Sequence, residues 1–171
     1  EYILFLDSDD FLRASALDGI NDLICANSAP DLIIGKWEGD DGNKSNGSFL
    51  DKINDDLSRD SDKIIEFINI SGYLPNVCWC NVYKRRILLN NALIFIDAKV
   101  GEDIEFVAQV ICSVKNISIF RNVFYCHRGS GRLAKSADIE TCIGFIRIIE
   151  SLIKIIRNHV NDKVRYEFLF S

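Results

Sequence analysis

The sequence has no methionine, no apolar run long enough to cross a bilayer, no C-x-x-C pair and no excess of positive charge. Each absence removes a class of function. The formal net charge is -5, and Lys and Arg are scattered except at Lys84-Arg85-Arg86 and from Arg128 to Arg132. An extended nucleic-acid surface is therefore excluded, and any anionic partner is small and local. The apolar segment from Ile143 to Ile156 is broken by Arg147, Glu150 and Lys154, and no signal-peptide pattern is visible, so the chain reads as soluble as written. Cysteines stand at 25, 78, 80, 112, 126 and 142. Their spacing lacks the two ligand pairs of a zinc site, with Cys78-x-Cys80 isolated, and they read as buried free thiols in a reducing compartment. The missing methionine, and an apolar segment that begins at Glu1 like a central strand without a preceding partner, lead us to expect a piece of a longer protein.

What is present is an ordinary globular composition. With 171 residues, 48% hydrophobic and 26% charged, one domain with a real core is expected. The most informative stretch is Glu1-Tyr-Ile-Leu-Phe-Leu-Asp-Ser-Asp-Asp10. Tyr2 to Leu6 form a short apolar run of the kind buried on both faces of a sheet, and Phe11 onward reads as a helix. Asp7, Ser8, Asp9 and Asp10 then fall at a strand's carboxyl end, where ligands collect in open α/β sheets.

Further along, Leu12, Leu17, Ile20, Leu23 and Ile24 recur at helical spacing, and Pro30 precedes a strand-like Asp31 to Gly35, giving a β-α-β pattern. Glu38 to Ser48 is polar and Gly-rich, which predicts an exposed excursion. Ser61 is placed to cap a helix through Asp62 to Ile70, ended by Gly72. After Pro75, Val77 to Tyr83 is apolar and leads into a short basic helix from Lys84 to Asn90. Gly101-Glu102-Asp103 opens a helix with Ile104, Phe106, Val107, Val110 and Ile111 on its apolar side, and its dipole favours carboxylates at that end. Ile117 to Phe120 and Val123 to Cys126 read as strands around Arg121-Asn122, followed by a basic loop from His127 to Arg132. Asp138 to His159 form a long amphipathic helix.

Two acidic groups could carry chemistry. Asp7-Ser8-Asp9 is a D-x-D, whose two carboxylates can turn toward one hard divalent cation. The same residues also suit a turn and helix N-cap, with Asp9 or Asp10 capping. An EF-hand is excluded, since Leu12 stands where its loop needs Gly. Glu102-Asp103 is equally compatible with a simple dipole role. Trp79 and Tyr83 fit core aromatics, and His127 and Arg128 fit a solvated loop.

Taken in order, the apolar run with its D-x-D-D, Trp79-x-x-Val-Tyr-Lys-Arg-Arg86, Phe95, Gly101-Glu-Asp103, and Tyr125-Cys-His-Arg128 with Ser130 and Ser136 nearby, the chain resembles glycosyltransferase family 2, the inverting GT-A enzymes. The resemblance extends to about Ser136. It implies an α/β fold, a partial Rossmann-like nucleotide-diphospho-sugar transferase with a mixed sheet and flanking helices. Residues 1–136 would be the C-terminal part of the catalytic domain and 137–171 an amphipathic helical extension. By the resemblance, the family's nucleoside-binding β-α-β-α-β unit is expected to lie outside this stretch, so the chain alone is expected to hold metal, base and acceptor elements and to lack activity by itself.

Carried over by residue, Asp9 is the expected ligand of Mn²⁺ or Mg²⁺, Asp7 lies near the ribose or the metal, and Asp10 is a secondary, structural candidate. His127 is a further candidate metal ligand and Arg128 a diphosphate contact. Asp103 is the expected general base, Glu102 orients the acceptor, and Trp79 lines the acceptor side, although Cys80 stands where an Asn is frequent. The implied activity is transfer of a sugar from a nucleotide-sugar donor, a UDP-sugar first among them, to a hydroxyl of a saccharide acceptor in bacterial cell-surface polysaccharide synthesis. The implied location is cytoplasmic, extending to the inner face of the membrane. Two alternatives remain: a phosphatase of the haloacid dehalogenase type with Asp7 as nucleophile, and a non-catalytic assembly module that self-associates through its C-terminal helix.

Overall fold

A computed structural model describes residues 1–26, 29–40, 45–54, 60–71, 76–128 and 138–169. Its organising element is β3 (Leu32–Gly39), whose first residues are almost wholly shielded from solvent, with Ile33 at 0% and Leu32 and Ile34 at 1% exposure. Successive side chains of a strand point to opposite faces. Leu32 and Ile34 accordingly enter one core and Ile33 another. β3 runs parallel to β5 (Ile117–His127) and antiparallel to β4 (Asn81–Lys84). β1 (Tyr2–Leu4) adds to β4 and β2 (Phe11–Leu12) to β5, both antiparallel, so the mixed five-stranded sheet has the order β1-β4-β3-β5-β2.

Helices cover both faces. On one side α1 (Ala16–Ala26) packs Ala16 and Ile20 against Ile33, Val82, Phe120 and Phe124. On the other, α3 (Ser61–Ser71) and α5 (Glu102–Ser113) bury Ile64, Ile65 and Ile68 together with Phe106, Val107, Val110 and Ile111. Each such side chain withdrawn from water is worth about 1.5–3 kcal/mol, which makes these stripes the main stabilising contribution of the helices. The short α2 (Gly47–Leu50) and α4 (Arg85–Asn90) close loops, while α6 (Ile139–Asn158) and α7 (Lys163–Phe168) lie outside α5 and α3. Arg165 fastens α7 by donating to the Val114 carbonyl at 2.8 Å and to Asp62 at 3.2 Å. No helix among the described residues is long and apolar enough to cross a membrane.

Several expectations are corrected. β1 ends at Leu4 and is an edge strand of intermediate burial, whereas a central strand reaching Leu6 was expected. β4 stands between β1 and β3, so the expected β-α-β unit is not a pair of neighbouring parallel strands. Phe11 and Leu12 extend the sheet instead of opening a helix: they pair with Cys126 and Tyr125, the Arg13 amide donates to the Phe124 carbonyl at 2.8 Å, and Ser15 takes φ 61° before α1 starts. Ile117 to His127 form one strand, because Arg121 and Asn122 fall at a bulge that shifts the register against Gly35 and Lys36. Asp60 caps α3 in place of Ser61, its carboxylate accepting from the Asp62 and Lys63 amides at 3.1 and 3.3 Å. The Ser61 hydroxyl instead accepts from the Ile117 amide at 2.8 Å.

The polar segment after Glu38 is not exposed throughout. Asn46 is buried, donating to the Gly35 carbonyl and accepting from the Trp37 amide, each at 2.9 Å. Gly72, Pro75, Ser130, Ser136 and the loop from Gly129 to Arg132 lie outside the described residues. The six cysteines are free, with Cys25 and Cys142 exposed and the other four buried.

Candidate functional site

The acidic turn lies between β1 and β2, strands that sit at opposite edges of the sheet, so residues 5–10 must cross its end. A backbone hydrogen bond from the Asp10 amide to the Asp7 carbonyl, 3.1 Å, closes the turn. Neither Asp9 nor Asp10 is a residue of α1, whose first turn begins after Ser15. The Asp10 side chain is completely enclosed. Its carboxylate accepts from the Tyr125 hydroxyl at 2.6 Å and the Arg128 amide at 2.8 Å, and it lies 3.2 Å from His127 Nδ1. An ionised carboxylate only accepts, so Nδ1 carries the hydrogen of this contact. Burial pushes the Asp10 carboxyl up, but the donors Tyr125, Arg128 and His127 outweigh it and hold it below the ordinary value.

Asp7 differs from Asp10. Desolvation raises its carboxyl, and the negative charges of Asp10, Asp103 and Asp9 raise it further. The Asp103 contribution, behind desolvation and Asp10, comes from the N-terminus of α5. Gly101 makes this possible from the α5 side: with φ 87°, a left-handed conformation natural to glycine, it turns the chain into the helix at Glu102. Asp103 Oδ2 accepts from the Cys78 amide at 3.4 Å. The Cys78 thiol, buried beside Asp103, is pushed up first by burial and then by that carboxylate. Glu102 has one oxygen, Oε2, buried without a hydrogen-bond partner among the described residues.

Aromatic rings form the floor. Trp79, 7% exposed, stacks on Tyr125 at 4.6 Å and on His127 at 5.2 Å, with Trp37 edge-on to it at 5.3 Å. Trp79 is thus mostly covered by these rings and offers little open face. Tyr83 is core, its hydroxyl donating to the Cys78 carbonyl at 2.8 Å. The Arg128 guanidinium sits 5.1 Å over the Phe11 ring. The structure therefore brings Asp7, Asp9, Asp10, His127 and Arg128 to one sheet end and links them through Trp79 and Cys78 to Asp103.

Sequence reasoning did not find Tyr125, Asn46 or Glu105 as polar anchors. Glu105 is 1% exposed and joins α5 to α6 by accepting from Gln109 at 2.7 Å and from the Ser151 hydroxyl. A charged residue on the otherwise apolar stripe Phe106, Val107 and Val110 was the available signal.

A divalent cation can be tested against this donor set. No three His, Cys, Asp or Glu side chains converge on one point among the described residues. Mg²⁺, however, is commonly held by one or two carboxylates with substrate phosphates completing the shell. Asp7 and Asp9 offer hard oxygen donors of the kind such a site uses. The donor set fits.

No protein-family model and no curated protein sequence matches the chain. Solved structures do. Staphylococcus aureus TarS, residues 1–349, superposes with a TM-score of 0.71 and 19% identity over 99% of this chain and 46% of that one. The same TarS segment solved with UDP-GlcNAc and with UDP gives 0.67 in each case at 18% identity, over 48% and 46% of those chains. The chain spans less than half the length of each of these TarS chains, and what the likeness establishes is its fold: a mixed α/β sheet with flanking helices that constitutes part of a GT-A fold.

Proposed function

We propose that the chain belongs to an inverting glycosyltransferase and supplies its metal, base and acceptor elements, residues 1–136 forming the catalytic part and 137–171 a helical extension. What carries this reading is the hydrogen-bonded cluster that ties the acidic turn, Asp7 and Asp10, to Tyr125, His127 and Arg128, together with Asp103 held by the Cys78 amide at the N-terminus of α5. The fold shared with TarS, which has been solved with UDP-GlcNAc and UDP, supports a nucleotide-sugar donor.

In this reading Asp103 takes the proton of the acceptor hydroxyl, whose oxygen forms the new bond to the anomeric carbon. The bond from that carbon to the diphosphate breaks on the opposite face, which inverts the configuration. Cys78 holds the Asp103 carboxylate through its amide, and Glu102, with a buried oxygen that has no partner among the described residues, orients the acceptor. Asp9 and Asp7 would hold Mn²⁺ or Mg²⁺, which when bound supplies charge neutralisation at the leaving diphosphate. Arg128 contacts the same diphosphate and His127 is a further ligand candidate. Trp79 walls the acceptor side. The acceptor is a saccharide of a bacterial surface polymer, and the enzyme works in the cytoplasm or at the inner membrane face.

The test separates the roles of the two acidic groups. In this chain and in a longer protein carrying it, titration of UDP and UDP-sugars with Mn²⁺ is compared with sugar transfer. Asp9→Asn is expected to abolish metal-dependent donor binding. Asp103→Asn is expected to bind donor within about 2-fold of the parent and to lose transfer by roughly 100-fold or more. Equal loss of binding in both variants would overturn the assignment.

A further inference from the structure

The Tyr125 hydroxyl makes two hydrogen bonds that between them hold the acidic turn. Its ring, 0% exposed, is locked in β5 by the stack on Trp79 and an edge contact with Phe124, so the core sets the position of its oxygen. That oxygen donates to Asp10 Oδ2 at 2.6 Å and accepts from the Asp7 amide at 3.2 Å. Asp7 and Asp10 are also the two ends of the turn closed by the 3.1 Å bond from the Asp10 amide to the Asp7 carbonyl. One side chain, 115 residues away in sequence from Asp10, therefore clamps both ends of the loop that presents Ser8 and Asp9.

We propose that Tyr125 is a positioning residue for the cation site: acting only through Asp7 and Asp10, it fixes how the Asp7 and Asp9 carboxylates face one hard divalent ion. Phenylalanine would keep the ring stack but leave the Asp7 amide and one Asp10 lone pair without their partner, and the turn would lose its fixed geometry. Partners that orient metal-binding side chains typically change metal affinity by roughly 10–100-fold when removed. This inference rests on the reading of the D-x-D as a cation site, so its experiment needs a readout that does not depend on the metal.

Mn²⁺ alone is the probe, followed by loss of the free-ion electron paramagnetic resonance signal on the 171-residue chain. Exchange of the Asp7 backbone amide is measured in the metal-free protein. Tyr125→Phe is compared with the parent and with Ile64→Val, a core change on the opposite face of the sheet. Tyr125→Phe is expected to bind Mn²⁺ roughly 10–100-fold more weakly and to exchange the Asp7 amide faster, with Ile64→Val like the parent in both. Parent-like affinity in Tyr125→Phe, or equal weakening in Ile64→Val, overturns the proposal. If the parent binds no Mn²⁺, the carboxylates do not hold the ion without phosphate and the proposal falls, while the exchange result decides separately whether Tyr125 holds the turn: unchanged exchange says it does not. Should Tyr125→Phe fail to fold, Asp10→Asn loosens the same turn with the ring in place and is read in the same two ways.

Discussion

Gly35 shows what one residue must satisfy at the centre of this sheet. A Cβ there would lie 1.9 Å from Phe124 Cε1 and 2.9 Å from the Cys80 carbonyl oxygen, inside the ring of a fully buried neighbour and against a backbone that accepts from the Gly35 amide at 3.0 Å. Neither atom is the loose end of a flexible side chain. Gly35→Ala is therefore expected to cost about 1–3 kcal/mol, measured as a lower urea midpoint with an unchanged slope. The glycine is visible in the sequence, but its reason is not: Phe124 and Cys80 meet it only through strand pairing. The same holds at the site. The carboxylates Asp7, Asp9 and Asp103 and the basic pair His127 and Arg128 could be picked out from residue type and order, whereas Tyr125 was named only as the start of the motif Tyr125-Cys-His-Arg128, and nothing in the sequence showed that its hydroxyl connects Asp7 to Asp10.

Elements governed by local chemistry were the legible ones. α5 and α6 were read from apolar spacing and end residues: α5 opens at Glu102 as expected, and α6 lies within one residue of expectation at each end. Asp138 is the N-cap of α6, accepting from both the amide and the hydroxyl of Thr141 at 2.8 Å and pairing with Lys99 at 2.5 Å. Lys99 first, then Thr141, hold its carboxyl well below the ordinary carboxylate value. A depressed folded-state value means that the cap stabilises above the unfolded-state value and is lost as pH falls through the folded one. Asp138→Ala is therefore expected to lower the melting temperature at neutral pH by a few degrees, and the gap from the parent should shrink as the pH is taken below about 4. A constant gap across that range would place the effect elsewhere than the cap. β2 and the bulge in β5 were not legible, because pairing with Tyr125 and Cys126, and register against Gly35 and Lys36, are set by partners distant in sequence.

At the scale of the whole molecule, the mixed sheet with flanking helices could be expected from alternating helical and strand-like segments, but its order could not. β1 was taken for a central strand on its apolar run, yet β4 pairs with it on one side and separates it from β3. An apolar run reports burial of side chains and says little about how many edges of a strand are paired. The true centre is β3, and its alternation places Ile33 in the core with α1 and Ile34 in the core with α3 and α5. Both tryptophans, Trp37 and Trp79, belong to the Ile33 side, while the helices α3 and α5 belong to the Ile34 side. A strand shared in this way cannot leave one core without uncovering the other. Tryptophan fluorescence and far-ultraviolet circular dichroism should therefore follow one urea transition. Ile33→Ala and Ile34→Ala, on opposite faces, should each move both signals together, by about 2–5 kcal/mol. Two midpoints in either variant, with fluorescence lost first in Ile33→Ala and helix signal lost first in Ile34→Ala, would mean that the two layers fold as separate units.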